Sequence, residues 1–119
     1  MKKYEELLEN KYRQLSLKKE GMLIIPLKHI DDFLKECESL NLAILGFEGF
    51  VVVGNNVVPR GEEIGDLSNI HGKTWAEHKT LTHKATADIL KNVPDTSSFG
   101  YEFVLMDKED FLKRKNSNE

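Results

Sequence analysis

His71, Trp75, His78 and His83 stand close together in the second half of the chain, and histidine is the side chain best suited to metal ligation or proton transfer near neutral pH. Their spacing limits what they can do. Thr74 followed by Glu77 is a capping-box pattern that starts a helix at Trp75 and leaves His71 in the preceding loop. His78 and His83 are five positions apart, which on a helix turns them about 140° from each other. They cannot share a metal as an H-x-x-x-H or H-E-x-x-H pair does, and Glu77-His78 has the order of that motif reversed. No metal centre is expected; a pocket lined by Trp75, His71 and His78, in a small-molecule or metal-binding module, stays open as an alternative.

Other chemistry finds less support. The stretch "LGFEGFVVVGNNVVPRGEEIGDLS", Leu45 to Ser68, holds five of the eight glycines, but they are separated by strand formers. No Gly-Lys-Ser/Thr or immediate helix follows to aim backbone N–H groups at a phosphate. Gly46 and Gly49 read as marks of a bend or bulge between strands. The serines lack a Gly-x-Ser-x-Gly elbow. Cys37 falls on an apolar helix stripe, where a thiolate is disfavoured. Asp31-Asp32 and Glu62-Glu63 are adjacent carboxylates of the kind that are usually solvated charge. Neither an enzyme nor a cofactor is expected.

The chain of 119 residues is 39% hydrophobic and 31% charged, which predicts one soluble domain, 1–119, able to fold without metal or disulfide. Its apolar runs are too short to cross a bilayer, and the glutamate-rich segment after Met1-Lys2-Lys3 is unlike a secretory signal. With Cys37 as the one cysteine, a cytoplasmic protein is expected. From Asp31 to Asp66 eight acids face two bases, a local balance of −6 within a net charge of −3. This argues against direct nucleic-acid binding, which rests on clustered Lys and Arg, and for a basic protein partner.

Hydrophobic periodicity predicts helices over about 2–17 and from Pro26 to Leu40. The next stretch reads as strands: Leu42 to Phe47, Phe50 to Val53 and Val57-Val58, the last two joined by a tight turn at Gly54-Asn55 or Asn55-Asn56. Pro59 closes the second arm. A helix over 75–92, a strand from Phe99 to Met106 and a short helix opened by Asp107 and Asp110 follow, with a frayed tail at 115–119. The order α-α-β-β-β-α-β-α indicates an antiparallel α+β domain of about four strands with helices on one face.

A binding surface is then the leading reading. Arg60 to Asp66 reads as a charged loop leaving a rigid hairpin, a common place for recognition residues. Glu48, Glu62, Glu63 and Asp66 make its acidic core, with Arg60 and Trp75 at its edge. Trp75 has two readings, packing on the sheet or anchoring an interface. The segments "NLAILGFEGFVVVGNNVVPRGEEIGDLS", "KTWAEHKTLTHKATADIL" and "FGYEFVLMD" resemble the small α+β immunity proteins of bacterial polymorphic toxin systems. The likeness covers about residues 22–107, through apolar strands, turns and the Asp66-Leu67-Ser68 ending. It implies a cytoplasmic inhibitor that binds a cognate toxin domain, a nuclease being one candidate, with no catalytic residues to carry over; a regulatory protein-interaction domain stays open as an alternative. A monomer or a homodimer through an exposed hairpin edge both fit.

Overall fold

The computed structural model describes residues 2–17, 21–92 and 99–117, with the side chains at 61–63 and 116–117 outside that description. In chain order come α1 (Lys3–Tyr12), β1 (Ile25–Pro26), a 3-10 turn (Leu27–His29), α2 (Ile30–Ser39), β2 (Ala43–Val53), β3 (Asn56–Asp66), α3 (Trp75–Leu90), β4 (Phe99–Met106) and α4 (Lys108–Ser117). The strands form one four-stranded sheet in the order β1-β4-β2-β3, antiparallel at every pairing. The antiparallel α+β class expected from the sequence is the one observed. Because β3 and β4 both run against β2, the chain crosses from one side of β2 to the other through α3, a split β-α-β arrangement.

The strand count agrees with the sequence reading, but the strands differ. Leu42–Phe47 and Phe50–Val53 are parts of one strand, and the bends expected at Gly46 and Gly49 are register shifts within it. Pro59 does not end β3, and Arg60 to Asp66 is strand rather than loop. The reason is position: β3 lies at the edge of the sheet, where a residue without an N–H can be accommodated with its nitrogen turned away from the ladder. With two expected strands merged into β2, the remaining place in the sheet is taken by β1, whose Ile25 and Pro26 pair with Tyr101 and Gly100; the second helix therefore begins at Ile30 rather than at Pro26. The hairpin turn is Gly54-Asn55, closed by the Val53–Asn56 pair, with Gly54 at φ +62°. That backbone conformation suits glycine at the first central position of a type II′ turn.

Local signals explain the helix ends. The Thr74 hydroxyl accepts the Glu77 N–H at 3.2 Å, so α3 starts where the cap was predicted. Helix α2 closes with Asn41 at φ 61°, the Leu42 N–H returning to the Cys37 carbonyl at 2.9 Å and the Asn41 N–H to that of Glu38 at 3.0 Å. Those two bonds make a Schellman motif, in which asparagine tolerates the left-handed position. Asp107 caps α4 by accepting the Asp110 N–H at 2.9 Å, and the helix continues to Ser117, through part of the segment expected to fray; 118–119 lie outside the described residues. Helix α1 stops at Tyr12 rather than near 17, because Leu17 turns back to pair with Ile24.

The main core joins Leu8 and Tyr12 of α1, Phe33 and Cys37 of α2, and Ile44, Phe47, Phe99 and Tyr101 of the sheet. Tyr12 stands edge-on to Phe33 at 5.2 Å, and Phe33 is 5.2 Å from Phe103. The Phe47 ring lies over Gly65, where a Cβ would come within 2.3 Å of it. A second cluster, Ala43, Met106, Trp75, Leu45 and Phe111, packs where α3 begins and α4 passes the sheet.

Candidate functional site

Strand register decides which of the expected patch residues meet. In an antiparallel sheet, residues directly opposite share a face, and so do residues two apart along a strand. Ile64, Glu48 and Glu102 form one row across β3, β2 and β4; Asp66, Gly46 and Val104 form the next row on the same face. Gly46 in the middle of its row leaves a groove of about 470 Å³, which also touches Arg114 of α4. Ile64 and Val104 are 57% and 53% exposed beside it. Three carboxylates and two aliphatic side chains thus share an open sheet face.

Its electrostatics are unfavourable in the free protein. Glu48 and Glu102 are direct cross-strand neighbours, and like charges so placed repel. Partial burial, then the Glu48 charge, push the Glu102 carboxyl above its ordinary 4.5. Asp66 differs: the Ser68 backbone N–H and then its side chain hold the carboxyl below 3.8, the N–H reaching Oδ1 at 3.0 Å.

Two expected members of the patch belong elsewhere. Arg60 is opposite Gly49, one residue along from Glu48 and therefore on the other face; its guanidinium lies over the Phe99 ring at 5.6 Å. Trp75 is 8% exposed, packs with Ala43, Met106 and Phe111, and donates its indole N–H to Asn41 Oδ1 at 2.9 Å. Its core reading is therefore the one the fold realises. Between Arg60 and Ile64, β3 advances four residues while β2 advances one, so Glu62 and Glu63 sit in a wide bulge; their side chains lie outside the described residues. Glu102, Ile64 and Val104 were missed, since only the sheet order brings them beside Glu48.

The histidines fall into two kinds. His83 is buried and satisfied, its Nε2–H donating to the Leu42 carbonyl at 2.8 Å. His78 is 6% exposed, sits between Trp75 and Phe111 at 6.2 and 5.0 Å, and neither ring nitrogen has a hydrogen-bond partner. An unpaired buried polar group costs about 1–3 kcal/mol. Burial first, then His71 and Arg114, push the His78 imidazole below its ordinary 6.5. His71 and His78 both line a cavity of about 640 Å³, bounded by the loop after β3, the start of α3 and α4. The sequence had paired these two histidines, and the fold does bring them to one cavity; Trp75 backs it rather than lining it.

Among the described residues no group of three or more His, Cys, Asp or Glu is arranged to hold a metal ion, and no helix is long and apolar enough to cross a membrane. Cys37 is fully buried, and desolvation followed by Glu36 and Glu38 pushes its thiol up to about 12, far from the thiolate that nucleophilic chemistry needs. Compared with protein-family models, curated proteins and solved structures, the chain matches none.

Proposed function

We propose that this protein is an immunity-type inhibitor that binds and neutralises a basic toxin domain in the cytoplasm through the face carrying Glu48, Glu102 and Asp66, without catalysis or cofactor. The observation that carries the reading is the Glu48–Glu102 pair on an open sheet face beside exposed Ile64 and Val104. A Lys or Arg of the partner placed between the carboxylates turns a repulsion into charge-assisted hydrogen bonds. The two aliphatic side chains offer the apolar contact that such interfaces place near their centre. Glu62 and Glu63, in the same edge strand, add acidic charge that steers association with a basic cleft. The resemblance to immunity proteins points to the same class of partner.

The test begins with the neighbouring reading frames: the C-terminal domain of an adjacent large secreted protein is produced and titrated with the wild type and with Glu48→Lys/Glu102→Lys/Asp66→Lys. Loss of binding and of neutralisation by at least about a hundredfold, with an unchanged circular dichroism spectrum, is the expected result. A folded variant that still neutralises like the wild type would sink the acidic-face reading.

A further inference from the structure

The cavity beside His78 has unequal walls. Leu67, Ile70, Met106 and Phe111 supply apolar surface, while His71, Lys73, Arg114 and Lys115 supply basic groups. No Asp or Glu is among its described lining residues. The Lys115 ammonium is held at one margin, donating to the Lys73 carbonyl at 3.0 Å. Gly72 lets the loop close over the first turn of α3: a Cβ there would stand 2.3 Å from the His78 nitrogen of the backbone. His78 itself is more than nine-tenths buried with both ring nitrogens unpaired.

We propose that this cavity is a binding site for a small organic anion, a carboxylate attached to an apolar body, with the carboxylate held by Arg114 and the imidazoles of His71 and His78. Its volume of about 640 Å³ falls in the range of small-molecule sites, which pair mostly apolar walls with a few placed polar groups. The guanidinium presents a planar fork that matches a carboxylate with two parallel hydrogen bonds. The charged residues among the described lining are all basic, and an anion offsets their mutual repulsion; Arg114 also borders the groove of Glu48, Asp66 and Glu102 and can turn to either side. A cation meets only like charge there. A bare inorganic anion would leave the apolar wall formed by Leu67, Ile70, Met106 and Phe111 uncovered. Burial first, and then the neighbouring His71 and Arg114, lower the proton affinity of His78.

The experiment titrates the full chain, labelled for NMR, with phenylacetate, its neutral counterpart phenylacetamide and inorganic phosphate, with calorimetry in parallel. Phenylacetate is expected to bind saturably and to move the His78 imidazole and Phe111 ring resonances. Phenylacetamide and phosphate should each bind at least about tenfold more weakly, and Arg114→Gln, at an exposed helix position, should weaken phenylacetate by about tenfold or more. No saturable phenylacetate binding at millimolar concentration, equal binding of the amide or of phosphate, or an Arg114→Gln variant that binds like the wild type overturns the proposal.

Discussion

The acidic face and the basic cavity touch, since Leu45, Ser68 and Arg114 line both, yet they are built in different ways. The face draws its charge from strands, where register fixes Glu48 opposite Glu102 and leaves the pair little room to separate. The cavity draws its charge from a loop and from α4, while its one deeply buried polar group belongs to α3. The carboxylates of the first stand on a strand face, whereas the basic groups of the second stand at the rim of a concavity whose buried imidazole is His78. A rigid, open array of one sign suits a macromolecular partner that brings its own rigid charges; a concavity rimmed by the other sign and walled by apolar groups suits a small ligand.

The sharpest way to break this contrast is Trp75→Ala. If Trp75 belongs to the packing behind the cavity, removing it costs about 3–5 kcal/mol in urea denaturation. A stable variant that had lost only partner binding would return Trp75 to the interface. Next comes His78→Phe, which keeps a ring between Trp75 and Phe111 and removes both unpaired nitrogens. It should raise stability by about 1–3 kcal/mol; a destabilised variant would mean that the imidazole has a partner in solution. The smallest effect is Glu102→Gln, which ends the like-charge pair and should stabilise by about 0.5 kcal/mol at neutral pH and low salt, less at high salt.

Acid separates the two regions further, because their titrations have opposite signs. The folded state raises the Glu102 value above 4.5, so it binds more protons than the unfolded chain, and that contribution is fully present below 4.5 and lost as pH rises through the folded value. It lowers the His78 value below 6.5, so the unfolded chain binds more protons, and stability is lost as pH falls from 6.5 through the folded value. Denaturation measured across pH should therefore show His78→Phe flattening the loss near and below 6.5, and Glu102→Gln removing a gain on further acidification.

Much of the fold was legible where local chemistry decides. Strand β4 falls at Phe99–Met106 and α3 starts at Trp75, as alternation and the Thr74 cap predict. Strands β2 and β3 were harder, because Gly46, Gly49 and Pro59 read locally as interruptions. Sheet position overrides them: the glycines sit at register shifts and the proline on an edge. The buried side of α3 was also obscure, being made of His78, Thr82, His83 and Thr86 as well as Trp75. Apolar periodicity does not see such a face, and its polar groups are settled only by tertiary partners. The Ile44 N–H, beyond the end of β3, donates to Thr82 Oγ1 at 3.0 Å, and Thr86 Oγ1 donates to the Thr82 carbonyl at 2.8 Å. Glu48 and Asp66 were found from charge alone; Glu102 and Arg114 required knowing which strand lies beside β2 and where α4 passes.

The register shift in β2 at Leu45 has a consequence for how this chain tolerates changes of length. Ile44 meets Leu105 and Gly46 meets Val104, so Leu45 has no partner of its own across β4. Deleting it would leave the residues on either side on their present faces, whereas deleting a paired neighbour would turn the rest of the strand inside out. Leu45 also borders both cavities. With Ser68 and Arg114 it forms the boundary between them, so a change of length there would be felt at both sites at once.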